Sequence, residues 1–199
     1  MKLFCSIFFL FISIKIYPQK FKALSSAEKK WSLCHPISAL KIKKIYKKCL
    51  PIYKNVANEK LLDSFSNGGK LDAFRHFFFM AAFSQKIKSK KLRNLGIAHE
   101  KGNYKDFLKG KNEDGEIPDS LSTVMDLLNN DSGIAFGIKN NKKTPEELKL
   151  FILEEIKKGN AFYFKRDFLG RYLTCDNAVI AIENYKKVWF VPKCLVTTD

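Results

Sequence analysis

The sequence predicts a mainly α-helical bundle with a small C-terminal β appendage. From Pro36 to Gly159, apolar residues recur at helical spacing between cap and turn signals. After Gly159 the pattern changes to short aromatic and β-branched runs separated by glycine and polar turns. With 18 Phe and 7 Tyr among 199 residues and 46% hydrophobic content, the chain must fold around a core, which excludes a disordered polymer.

The first segment reads as an address. Met1-Lys2 supplies a positive start, Leu3 to Ile14 is apolar, and Pro18-Gln19 offers a polar break for cleavage. This stretch falls short of the roughly 20 residues a membrane span needs. Cys5 lies inside it with no small-residue lipobox, so lipidation is not expected. The expected organisation is a signal peptide over 1–19, a helical domain over 20–160 and a disulfide-tied β appendage over 161–199. Removing the first segment takes away two Lys and no acid, leaving +14 of the formal +16 charge. Such a charge suits an anionic substrate or an envelope surface, and no transmembrane span would remain. Export permits disulfides, and the spacing suggests two local pairs, Cys34 with Cys49 and Cys175 with Cys194. No Cys-x-x-Cys pair supports a cysteine metal site.

Residues 20–33 read as a lead-in helix stopped at His35-Pro36. A second helix starts at Pro36, where proline fits a first turn, and carries Leu40, Ile42, Ile45, Tyr46 and Cys49 among five lysines. Those lysines form a solvated face or a phosphate patch. Pro51 is expected to break or restart this helix, with a short continuation to about Ser64. Ser66-Asn67-Gly68-Gly69 is a turn. Lys70 to Ile87 is apolar on nearly all sides, which places it at the bundle centre. Ser89 to about Tyr104 makes the next helix, followed by a polar loop with Glu113, Asp114 and Glu116. Asp119 or Ser120 caps a helix running past Gly133, and Thr144-Pro145-Glu146-Glu147 opens the last one, which ends at Gly159. In the appendage, Ala161–Phe164 and Arg171–Thr174 suggest a hairpin, and Val188–Val191 a third strand.

Three helices carry polar groups where a core helix is usually apolar. Asp72, Arg75 and His76 share one face at spacings of three and four. On the Phe-rich helix an unpaired charge would be expensive, so these groups must pair or face a cavity. His99-Glu100 begins a zinc-protease pattern, but Asn103 stands where the second His belongs, which excludes that chemistry. Asp126, Asn129 and Asn130 form a third polar face, and neither Asn nor the following Gly133 is there for helix propensity. Asp72, Arg75, His76, His99, Glu100, Asp126, Asn129 and Asn130 are therefore expected to converge on one pocket, as facing helices of bundles do. His76 and His99 with Asp72 or Asp126 would also make a two-His, one-carboxylate metal set; the sequence names no cofactor. The bland counterpart is a buried hydrogen-bond network that sets helix register.

Asn67-Gly-Gly-Lys-Leu-Asp72-Ala-Phe-Arg75-His76, His99-Glu100 and Met125-Asp126-Leu-Leu-Asn129-Asn130-Asp-Ser-Gly133 resemble an uncharacterised family of exported bacterial helical domains. Its pattern is a D/N-A-x-R-H helix, an H-E helix and an M-D-x-x-N-N-x-x-G helix, matched here in order over about residues 60–140. The resemblance implies an exported helical domain with a site shared by these residues, and no named reaction. A fainter likeness to small secreted bacterial phospholipases A2 (D-A-C-x-R-H-D) fails at Phe77, which replaces the Asp after the His. The expected function is an exported, hydrolase-like protein: His76 as general base oriented by Asp72, Arg75 with Asn129 and Asn130 holding an oxygen, and His99 with Glu100 as a second acid/base pair or metal ligands. The alternative is a non-catalytic envelope or binding protein whose polar residues only lock the bundle.

Overall fold

The computed structural model describes residues 24–112 and 116–199. The signal peptide expected over 1–19, and Glu113 and Asp114, lie outside them. Six α-helices form the bundle: α1 Ser26–Cys34, α2 Pro36–Asn58, α3 Lys70–Ser84, α4 Ser89–Leu108, α5 Ser120–Lys139 and α6 Pro145–Lys157. A two-stranded antiparallel sheet, β1 Phe162–Phe164 with β2 Leu195–Thr197, follows. A 3₁₀ turn at Ile182–Tyr185 lies between the strands.

Local chemistry sets the helix ends. Ser25 with Glu28, and Thr144 with Glu147, form capping boxes at α1 and α6. Asp119 caps α5 by accepting from the Leu121 and Ser122 backbone N–H groups. At α3 the cap comes from further back. Asp63 accepts from Lys70 N at 2.6 Å and Leu71 N at 3.0 Å, satisfying two otherwise orphaned donors.

α2, α4, α5, α6 and β1 all pack on α3. Phe74 and Phe78, stacked at 5.2 Å and fully buried, lie at the centre of this core. α5 makes the closest approach. A Cβ on Gly133 would sit 2.3 Å from the Phe77 carbonyl oxygen, and one on Gly137 would sit 2.0 Å from that of Ala81. Glycine at these positions lets two helix backbones touch, which draws the polar face of α5 onto that of α3.

Four expectations change. Pro51 lies inside α2 without ending it, because Cys49, Ile52 and Val56 bury one continuous face there. An interior proline costs about 3 kcal/mol, and that burial offsets it. Cys34 and Cys49 are both free, the first exposed and the second buried. With α2 unbroken, Cys49 stands about 20 Å up the helix from Pro36 at 1.5 Å per residue, beyond disulfide reach. In the appendage β1 pairs with the C-terminal segment, Tyr163 opposite Val196. The Arg171–Thr174 segment contributes only isolated bridges, Arg166 with Tyr172 and Leu173 with Val179. Asp167 binds the Leu169 and Arg171 N–H groups through its side chain, tightening the turn and curtailing a ladder. Val188–Val191 is not a strand. The second expected disulfide, Cys175 to Cys194, is present and ties the two sides of the appendage together.

Candidate functional site

The site begins where α3 leaves the glycine turn. Gly68 has φ of 68°, and its N–H donates to Asp72 Oδ2 at 2.7 Å. A Cβ there would lie 2.8 Å from the Phe164 ring, so glycine is required by backbone conformation and by space. Asp72 Oδ1 then pairs with Arg75 at 2.7 Å along the same helix.

His76 stands next on this face, with its side chain 9% exposed. Nδ1 lies 3.1 Å from Asn130 Oδ1 on α5, which makes Nδ1 the donor. Nε2 faces two carboxylates, Asp72 Oδ1 at 3.5 Å and Asp126 Oδ1 at 3.3 Å. Arg75 also reaches Nε2, at 3.4 Å. Gly96 on α4 leaves room for Asn130, whose Nδ2 would be 3.0 Å from a Cβ at that position. Asp72, Arg75, His76, Asp126 and Asn130 therefore form one contiguous cluster between α3 and α5.

Electrostatics divides the two acids. Burial opposes ionisation of Asp72, but Arg75, His76 and the Gly68 N–H outweigh it and hold the carboxyl below the usual range. Burial pushes Asp126 well above its ordinary value, and the neighbouring charges of Asp72 and Glu100 add to this against the pull of His76. Burial works against a charged His76, yet Asp126 and Asp72 overcome it and raise the imidazole above its usual value. Asp126 and His76 therefore titrate as a coupled pair.

Two expected members bind other partners, and a third stands at the border. His99 binds Glu28 of α1, Nδ1 to Oε1 at 3.2 Å, and is 38% exposed. The two-His metal set is thereby corrected: among the described residues, the grouping that places one ligand atom of each residue within 4.8 Å of the others is Asp72, His76 and Asp126. His99 was drawn away because the Ser25 capping box presents the Glu28 carboxylate to α4. Asn129 is fully buried but spends its amide on β1, accepting from Phe162 N and donating to Phe162 O, both at 2.9 Å. Glu100 borders the cluster, accepting from Thr123 Oγ1 at 2.9 Å and Asn103 Nδ2 at 3.3 Å.

A second polar assembly escaped the sequence reading. Arg166 binds Glu116 at 3.2 Å and the Asn67 and Gly170 carbonyls at 2.8 Å, and its guanidinium lies over the Phe65 and Tyr172 rings. The Tyr172 hydroxyl bridges Glu116 and Arg166. Buried Lys193 pairs with Asp119 at 2.6 Å. These groups border a cleft of about 670 Å³ between the start of α5 and the appendage, which none of Asp72, His76 and Asp126 lines. They are scattered over residues 116 to 193 with no local pattern, so no sequence signal marks them.

Fold and site define a helical-bundle domain with a buried imidazole–carboxylate centre, set between two helices at a glycine contact. The chain belongs to the family described as domain of unknown function DUF6973, matched over residues 29–160. No curated protein and no solved structure matches the chain.

Proposed function

We propose that the chain is an exported protein with hydrolase-like chemistry at the cluster of Asp72, Arg75, His76, Asp126 and Asn130. One observation carries the reading: carboxylates from two different helices face the same imidazole nitrogen, at 3.5 and 3.3 Å. A structural ion pair needs only one of them. Asp72 already has Arg75 and the Gly68 N–H, so Asp126 is a second buried acid whose charge is costly there. A buried acid and an imidazole competing for a proton make a centre able to draw a proton from water and return it to a leaving group. Arg75, 23% exposed, is the member that reaches solvent and can hold an anionic or carbonyl oxygen. Glu100 tunes Asp126 from the border. Export is supported by the Cys175–Cys194 disulfide, a bond that persists in oxidising compartments. No helix among the described residues is long and apolar enough to cross a membrane. The +16 formal charge supports an anionic substrate or envelope polymer.

The second reading, a non-catalytic protein with a buried lock, is favoured by the engagement of both His76 nitrogens and by the Asn129 clamp on β1. Turnover of phospholipid, nucleic acid and cell-wall polymer by wild type and Asp126→Asn decides between them. The hydrolase reading expects one substrate class to be turned over and the variant to lose about 100-fold or more while staying folded. No turnover of any class, or equal rates, favours the lock.

A further inference from the structure

We propose that Asp72, His76 and Asp126 bind one divalent transition-metal ion. The inference rests on reading this cluster as the working centre and names a cofactor class for it; with the ion bound, His76 and Asp126 are its ligands and no longer the proton carriers of the metal-free site. Nε2 lies 3.3 Å from Asp126 Oδ1 and 3.5 Å from Asp72 Oδ1. Ligands at roughly 2.0–2.2 Å from a shared ion sit roughly 2.8–3.6 Å from each other in tetrahedral or octahedral geometry. Both distances fall in that range without any movement of the backbone.

Charge and bonding point the same way. Asp72 and Asp126 are 2% and 4% exposed, and among the described residues Arg75 brings its guanidinium to Asp72 and His76. Two buried carboxylates facing one imidazole nitrogen favour further positive charge at that point. Asp126 Oδ1 is buried and turned into the cluster, yet makes no hydrogen bond among the described residues; its close polar neighbour is Nε2. An oxygen left in this way is a ligand atom aimed at a common point. Arg75 touches two of the three ligand atoms, Asp72 Oδ1 at 2.7 Å and Nε2 at 3.4 Å, so its guanidinium stands where cationic charge is wanted. It borders solvent at 23% exposure, and its charge competes with the ion for the same two ligand atoms. One imidazole and two carboxylates suit zinc or manganese, whereas calcium and magnesium sites are built from oxygen alone.

The second helix explains the construction. Gly133 and Gly137 bring α5 against α3, and Asn130 fixes the ring through Nδ1, leaving Nε2 turned toward the two carboxylates. A hydrogen bond on the other ring nitrogen is how metal-ligating histidines are usually oriented.

The test is binding by calorimetry with Zn²⁺ and Mn²⁺ alone, on chelator-treated protein, alongside the visible spectrum of the Co²⁺-loaded chain. Expected are one equivalent per chain and a loss of affinity in Asp126→Asn beyond the about 10–100-fold of an outer-shell change. A tighter site in Arg75→Gln is expected as well, because the competing cation is gone. The Co²⁺ spectrum of wild type should show nitrogen and oxygen ligation, a readout that does not depend on a variant folding. Absence of stoichiometric binding, equal affinity in Asp126→Asn, or equal or weaker binding in Arg75→Gln overturns the proposal. Binding without turnover of any substrate removes the hydrolase reading and leaves the metal site. Turnover undiminished by chelator does the reverse.

Discussion

Asp126 Oδ1 lies 3.3 Å from His76 Nε2, and both groups are buried with their proton affinities raised. The two residues are 50 positions apart and meet only because α5 packs against α3 through glycine. Their raised and coupled proton affinities make stability depend on pH.

A group whose folded-state proton affinity exceeds its unfolded one stabilises the fold while protonated, and that stability is lost as pH rises through the folded value. His76 and Asp126 both belong to this class. Asp72 is the opposite case, stabilising above its unfolded value and failing as pH falls through its depressed folded one. Metal-free protein should therefore be most stable in mildly acidic solution and lose stability toward alkaline pH. Urea unfolding from pH 5 to 9 should show a shallower loss in Asp126→Asn, and NMR titration should place His76 lower in that variant. A His76 resonance that ignores the substitution would contradict the coupling of the two groups.

Gly133→Ala tests the helix contact. The added Cβ would meet the Phe77 carbonyl at 2.3 Å, a backbone atom that cannot step aside. Helix propensity favours alanine by about 1 kcal/mol, but overpacking of this kind should dominate, for a net loss of about 2–3 kcal/mol. Thermal unfolding measures it, and Gly137→Ala should behave alike.

The thiols should react unequally. Cys34 is exposed, while burial, reinforced by Glu146, pushes the Cys49 thiol up to about 11. Maleimide added to native protein should label Cys34 within minutes and Cys49 only in denaturant, as peptide mapping would show. Reducing Cys175–Cys194, which closes 19 residues, should cost about 3 kcal/mol.

Lys193 and Asp119 form the buried pair that fastens the C-terminal segment to the start of α5. Lys193→Met leaves Asp119 without its partner and should destabilise by about 3–5 kcal/mol. Adding Asp119→Asn should recover much of that loss in a double-mutant cycle, since Asn still caps α5.

Much of the helical layout was legible because its causes are local. Thr144 with Glu147 and Asp119 with its two backbone donors act within one turn, and the Phe-rich run around Phe78 has no amphipathic alternative to the centre. The motif residues were legible as chemistry on single helix faces, as Asp72, Arg75 and His76 show. Misreadings arose where a residue had competing partners. His99 went to Glu28 rather than His76, and Asn129 went to the Phe162 backbone. The appendage assembly around Arg166 and Tyr172 was invisible because its members share no spacing.

The sequence by itself determined the helices, their caps, the central place of α3 and the candidate side chains, because caps and 3.6-residue periodicity act over a few residues. Tertiary structure alone decided that Asp126 faces His76 while Asn129 does not. It also decided that Cys49 stays a thiol and that β1 pairs with the last strand. Those outcomes depend on which helix faces meet, and this is set by close approach at Gly133 and Gly137 and by burial of the shared core. No window of local sequence contains that information.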